Sequence, residues 1–345
     1  MKAVKLYEPG NLQVEEVAVP EIGPDEVLVE VKAVGVCGSD IPRALYKGAY
    51  YQGLTLGHEF AGKIVQVGSA VEGWQENDRV SVAPLLPCYE CTYCKSGDYS
   101  LCDTYSYYGS RTDGAMARFI KVAATNLLRL PDNVSYEAGA MIDPAANAIH
   151  GLWRGQFREG DKVAVFGLGA IGLFVIQFAK VLGAKQIVAV DIHQEKLDLA
   201  VQLGADVTVN SAQGNAVQEV LAQTGGVDYV IDTSGSPIAQ NQAVCVAAKK
   251  GRVVFLGISN NELALSKEAV NNLLRYELSV NGSWNSFSHP FPGREWTLTA
   301  ELMGQGKLVA EPLISHRFSL SEAPQVFEKI KKRELVFNKI MFFPE

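Results

Sequence analysis

Through the first 150 residues, apolar positions fall in short, partly alternating runs: Leu12–Val19, Val27–Val36, Gly62–Gly68 and Arg79–Ala83. They carry β-branched residues, and Gly and Pro interrupt them at short intervals, which predicts strands of a compact, barrel-like β domain. The pattern changes near Gly160. Strand-like runs follow at Val163–Phe166, Ile187–Val190, Val207–Val209, Tyr229–Ile231, Val253–Leu256 and Leu278–Val280. Helical segments alternate with them at Ile171–Leu182, Glu195–Leu203, Ala216–Gln223 and Ala239–Lys250. Such alternation with short turns predicts a parallel sheet covered on both faces, a doubly wound fold. After Trp284 come Pro290, Pro292 and Gly293, helices over Glu295–Met303 and Ser321–Arg333, and a strand-like run, Val336–Phe343. This tail is expected back on the first domain. Residues 1–152 and 287–345 then form one domain and 153–286 an inserted one, with a cleft between two lobes.

The 345 residues are 48% hydrophobic and 20% charged, which excludes a disordered chain. No heptad array or short repeat is present, so coiled coils and solenoids drop out. The net charge of −7 gives no basic footprint for nucleic acid, and Lys331-Lys332-Arg333 reads as a solvated helix face. The longest uncharged stretch, Val163–Ala179, is short for a membrane span and holds Gly167, Gly169 and Gly172; it reads as strand, turn and helix. The start, Met1 to Lys5, has no signal-peptide core, so a soluble, cytoplasmic protein is expected.

Four of the six cysteines, Cys88, Cys91, Cys94 and Cys102, are spaced C-x2-C-x2-C-x7-C. In an intracellular chain this spacing points to metal rather than disulfides, and four thiolates close a structural tetrahedral zinc site over a lobe of about residues 85–105. Iron–sulfur spacings differ. Cys245 lies in a helical pattern and reads as a buried thiol.

Gly167-Leu168-Gly169-Ala170-Ile171-Gly172 is G-x-G-x-x-G, and it follows a predicted strand and opens a predicted helix. Gly167 permits the turn, Gly169 the approach of a pyrophosphate, and Gly172 close helix–strand packing. The helix N-terminus at Ala170 and Ile171 supplies amide donors. Asp191 ends the next strand, where a carboxylate accepts from both adenosine ribose hydroxyls and repels the extra phosphate of NADP. NAD is therefore the expected cofactor, with Lys196 bracing Asp191 or the ribose.

Cys37-Gly38-Ser39-Asp40 and Gly57-His58-Glu59 supply Cys, His and Glu, a plausible zinc set with an open fourth position. Each residue alone also has a plain structural role. Together with the four-cysteine lobe, Gly167–Gly172 and Asp191, they resemble the zinc-dependent medium-chain dehydrogenases along essentially the whole chain. That resemblance implies a GroES-like β-rich catalytic domain, an inserted Rossmann domain, two zinc ions per subunit, and homodimers or homotetramers. It makes Cys37, His58 and Glu59 ligands of a catalytic zinc and Ser39 a relay for the alcohol proton toward the cofactor ribose and solvent. It also sets Thr233 and Ser234 beside the nicotinamide. Where the family has Glu-Pro, this chain has Asp143-Pro144. Asp is one methylene shorter, so Asp143 is either a direct ligand or a group bridged to the metal by water.

Leu85–Cys88, Gly109–Gly114, Gly282–Trp284, Pro292–Trp296 and Glu311–Ile314 resemble a branch acting on phosphorylated polyols. That implies NAD-linked oxidation of a secondary alcohol, galactitol 1-phosphate to tagatose 6-phosphate, with Arg111 as phosphate anchor and Arg43, Lys47 and Arg294 as alternatives. Sorbitol or another polyol, a pentitol phosphate and L-threonine are the competing substrates. A non-enzymatic dinucleotide-binding protein and a zinc-free quinone reductase are disfavoured because the ligand set is intact.

Overall fold

A computed structural model describes residues 1–345, which divide into two compact units: Met1–Asp143 with Ser286–Glu345, and Pro144–Asn285. The chain is mixed α/β, as expected. It passes from the first unit to the second inside the helix Ile142–Arg154.

The first unit is built on a seven-stranded sheet. Its path runs Leu127–Arg129, Arg79–Val82, Glu59–Val67, Glu26–Gly35, Lys339–Phe343, Ile314–Ser319, with Phe119–Ala123 also paired to Glu26–Gly35. The long strands bury Val27, Val29, Val31, Val34, Phe60, Ile64, Ile340 and Phe342 in one apolar core. Antiparallel pairing sets Gly35 opposite Glu59 and Met341 opposite Gly35. Three sequence-distant segments therefore meet at one end of the sheet. No side chain fits at Gly57, whose φ is +93° and whose Cβ would lie 2.9 Å from Met116 and Val34.

The second unit holds six parallel strands in the order Val207–Asn210, Gln186–Asp191, Lys162–Phe166, Val227–Asp232, Ala247–Phe255, Ser279–Gly282. Numbered along the chain this is 3-2-1-4-5-6, the dinucleotide-fold order. Phe166, Val188, Val190, Val230 and Val253 pack in its core.

Several element boundaries differ from the sequence expectation, two of them for a clear reason. The helix expected to reach Lys250 stops at Val246, because Ala247 already pairs with Val227 and starts the next strand. The last helix proper is Ala323–Lys331, and Ser319 rather than Ser321 caps the turn before it, in a reciprocal capping box with Glu322. No helix is long and apolar enough to cross a membrane.

Candidate active site

The sulfurs of Cys88, Cys91, Cys94 and Cys102 all lie within 4.8 Å of one another, and no disulfide joins them. Local backbone turns aim amides at them. Glu90 and Cys91 donate to Cys88 Sγ at 3.4 and 3.3 Å, Cys94 to Cys91 Sγ at 3.5 Å, and Cys88 to Cys102 Sγ at 3.3 Å. The two amides on Cys88 lower its pKa to about 6, whereas burial pushes Cys94 up to about 12. Sulfurs that converge and accept amides suit a closed metal site. The lobe is anchored to the segment after residue 286. Ser100 Oγ accepts from Phe287 N at 3.0 Å, and Tyr99 meets His289 Nδ1 at 3.3 Å and the Phe291 ring edge-on.

At the sheet end, Cys37, His58 and Glu59 bring one ligand atom each within 4.8 Å of the others. Cys37 follows the strand Glu26–Gly35, and Glu59 begins its antiparallel neighbour. His58 Nδ1 faces Asp40 Oδ1 at 3.4 Å, which leaves Nε2 as the nitrogen available to a metal. Asp40 is fully buried, and its other oxygen accepts from Cys37 N at 3.0 Å. Burial disfavours the charge on His58, but Asp40 and the Cys37 sulfur outweigh it and raise its pKa. One sulfur, one oriented imidazole and one carboxylate fit zinc with an open position. Ser39 Oγ lies 3.3 Å from Cys37 Sγ.

Asp143 is buried, and burial raises its pKa to about 7, with His58, Glu59 and Lys339 among the charges acting on it. It does not belong to the three-residue group of converging ligand atoms. Two further residues of this centre went unassigned in the sequence. Tyr107 is buried, with its ring edge-on to His58 at 5.5 Å. Lys339 donates to Glu59 Oε2 and, at 3.0 Å, to Val36 O. Asp40 carried a local signal, its place in the Cys37–Asp40 run; Lys339, 280 residues from Glu59, carried none.

In the second unit, Gly167 adopts φ +88° and Thr233 Oγ1 donates to its carbonyl at 2.7 Å. A side chain at Gly172 would collide with that same carbonyl and with Thr233, whereas Gly169 faces open space. An exposed glycine backbone ahead of the helix Ala170–Val181 fits a pyrophosphate. Asp191 accepts from Leu168 N at 2.7 Å and His193 N at 3.0 Å, which fixes its carboxylate at the strand end. Asp191 takes these backbone amides and forms no ion pair with Lys196. The Thr233–Gly235 turn hangs on buried Asp232, which accepts from Ser234 N and Oγ at 3.1 and 2.6 Å and from Gly235 N at 3.0 Å.

Arg111 sits in the Gly109–Gly114 turn. Gly109 would clash there with Gly57 if it bore a side chain, so the turn lies against the residue before His58. The Arg111 guanidinium stacks 4.0 Å over Tyr105, faces Tyr50 at 5.4 Å, and donates to Tyr105 O at 2.6 Å. Asp113 staples the turn by accepting from Thr55 N at 2.7 Å and Tyr51 Oη at 3.1 Å. Arg43 is turned toward buried Asp40 at 3.8 Å, which weakens it as an alternative anchor.

Residues 23–132 match the alcohol dehydrogenase GroES-like domain and residues 170–301 the zinc-binding dehydrogenase family. The chain is 39% identical to galactitol 1-phosphate 5-dehydrogenase of Escherichia coli K12, covering 100% of both. It is 31% identical to sorbitol dehydrogenase of Bacillus subtilis, covering 100% of this chain and 97% of that one. The crystal structure of galactitol-1-phosphate dehydrogenase from Escherichia coli superposes with a TM-score of 0.94 at 39% identity, covering 100% of each chain.

Proposed function

The chain belongs to the zinc-dependent alcohol dehydrogenases of the medium-chain family, an oxidoreductase family, and from that premise we propose that it oxidises a polyol phosphate with NAD, galactitol 1-phosphate to tagatose 6-phosphate. The observation that carries the substrate is the 39% identity over the full length to an enzyme named for that compound. Arg111, clamped in a turn packed behind His58, supports the phosphate.

Cys37, His58 and Glu59 hold the catalytic zinc, Cys88, Cys91, Cys94 and Cys102 a second, structural one, and Gly167, Gly169, Ala170, Ile171, Gly172, Asp191, Lys196, Thr233 and Ser234 the NAD. When bound, zinc supplies a Lewis acid toward the alcohol oxygen and NAD the hydride acceptor. The remaining work falls to side chains. Asp40 fixes the His58 tautomer. Ser39 Oγ takes the alcohol proton and passes it toward solvent. Asp191 accepts from the adenosine ribose hydroxyls and rejects a phosphate there, which supports NAD over NADP. Asp143 acts from beside the ligands rather than as one of them. Six unpaired cysteines suit a reducing cytoplasm, and the family suits a homodimer or homotetramer.

The test is NADH formation by zinc-replete protein with galactitol 1-phosphate, galactitol, sorbitol, D-arabitol 1-phosphate and L-threonine, each with NAD and NADP. Turnover should favour the hexitol phosphate with NAD. Arg111→Ala should cost about 10- to 100-fold in kcat/KM for the phosphorylated substrate, the size of one charged hydrogen bond, and leave galactitol unchanged. Equal turnover of galactitol and its phosphate by the native protein overturns the phosphate assignment.

A further inference from the structure

Tyr107 is a buried polar side chain of the catalytic centre with no part in the chemistry above. It ends the short strand Ser106–Tyr107, opposite Leu85. Its carbonyl accepts from the amides of Ser110, Arg111 and Thr112 at 3.2, 2.9 and 3.2 Å, which ties the Arg111 turn to its backbone. The two adjacent tyrosines differ. Tyr108 lies in the apolar core, and its Oη accepts from Ala123 N at 3.0 Å. Tyr107, 8% exposed, is held through its ring, edge-on to His58 at 5.5 Å, to Tyr105 at 6.4 Å and to Phe287 at 6.5 Å. Its hydroxyl bonds to no other group of the chain, although Asp143, Cys37 and Glu59 lie close enough for their charges to act on it. A buried tyrosine hydroxyl normally finds a hydrogen-bond partner, so one without it at a reaction centre leaves that place to a ligand.

The surroundings say which ligand. Tyr105 stands between Tyr107 and the phosphate anchor proposed above, for the Arg111 guanidinium stacks 4.0 Å over its ring. Arg111, Tyr105, Tyr107 and His58 thus form one run of contacts, from the phosphate end of a substrate to the end that meets the metal ligands. We propose that Tyr107 is a specificity-determining residue whose Oη donates to a polyol hydroxyl next to the carbinol that is oxidised, and so selects a vicinal polyol over a simple secondary alcohol. The inference rests on the alcohol oxidation proposed above. In galactitol 1-phosphate oxidised at C5, the neighbouring hydroxyls are those on C4 and C6. A site built to bond a hydroxyl rejects an analogue that lacks it far more strongly than an apolar wall rejects a missing methylene.

Tyr107→Phe removes the hydroxyl and keeps every ring contact. Native protein and variant are compared on galactitol 1-phosphate and its 4-deoxy and 6-deoxy analogues, by kcat/KM and, without turnover, by calorimetric binding to the NADH complex. The expected result is a loss of about tenfold or more in the native protein for one deoxy analogue and a matching loss in the variant for the parent compound. The variant should then separate parent and analogue by less than about threefold. A native protein indifferent to both deoxy positions overturns the proposal, and this arm stands even if the variant does not fold. A variant that keeps the native discrimination overturns it as well. With Co2+ in place of zinc, the visible spectrum should be the same in both proteins; a shifted spectrum would mean that Tyr107 acts through His58 and overturns the substrate contact. The same series on galactitol and its deoxy forms separates the two assignments, since discrimination there without any preference for the phosphate retains Tyr107 and drops Arg111. Neither turnover nor binding of any member overturns the proposed activity, and the role of Tyr107 with it.

Discussion

Replacing Asp40 with Asn tests whether the Cys37–His58–Glu59 cluster is organised for a metal. The substitution keeps shape and removes charge. In the native chain one Asp40 oxygen accepts from Cys37 N at 3.0 Å and the other faces His58 Nδ1 at 3.4 Å. An amide offers one acceptor and one donor for these two donors. If its oxygen stays on Cys37 N, its NH2 faces His58 Nδ1 and forces the proton onto Nε2, the nitrogen a metal needs free. If it flips, Cys37 N loses its acceptor in a part-buried place, at up to about 1–3 kcal/mol. Loss of such a supporting group lowers metal affinity about 10- to 100-fold, equivalent to about 1.4–2.7 kcal/mol. Chelator competition should show this loss at the three-residue site with the four-cysteine site unmoved, and far-ultraviolet circular dichroism should remain native. Unchanged zinc affinity would refute the tautomer argument, since nothing else in the variant restores the second acceptor.

Two further outcomes follow from the same geometry. Asp191→Ala removes the carboxylate held by Leu168 N and His193 N, so NAD binding, followed by fluorescence titration, should weaken about 10- to 100-fold while NADP binding improves; an unchanged NAD/NADP ratio would count against ribose recognition by Asp191. In metal-free protein, burial lifts Asp143 from the ordinary 3.8 to about 7, so the folded state takes up its proton more readily than the unfolded chain. That contribution is fully present below the unfolded value and is lost as pH rises toward 7, about 4 kcal/mol at most. Thermal unfolding with chelator from pH 5 to 8 should therefore show stability falling with pH, less steeply in Asp143→Asn, and an equal slope in both would exclude Asp143 as the source.

What the sequence made legible was the chemistry that local spacing encodes. C-x2-C-x2-C-x7-C becomes four converging sulfurs because its turns aim Glu90, Cys91 and Cys94 amides at the thiols within a few residues. G-x-G-x-x-G was readable because Gly172 answers a local collision with the Gly167 carbonyl, Gly167 takes the left-handed turn, and Gly169 leaves the backbone open. Strand and helix types were likewise local, apart from Ala247–Lys250, where a good helix-forming stretch is captured by pairing with Val227. Lys339 and Tyr107 were not legible, because their meaning comes from register. Met341 pairs with Gly35 and Gly35 with Glu59, and only that alignment carries a lysine from the last strand to a carboxylate on a strand 280 residues earlier.

Asp143 lies between these cases. Its place before Pro144 was visible in the sequence, and so was its missing methylene relative to the family's Glu. Its consequence was not, because it depends on the charges around it. Buried with Glu59 and Asp40 among its neighbours, a shorter carboxylate without a metal is pushed toward its neutral form, while His58 and Lys339 oppose the shift. A metal on Cys37, His58 and Glu59 would displace the His58 proton and set a divalent charge in its place, which favours the anionic form of Asp143. The same group can therefore favour the metal electrostatically without touching it. This gives a physical reason for the centre to keep an acid at this position with the reach of an aspartate.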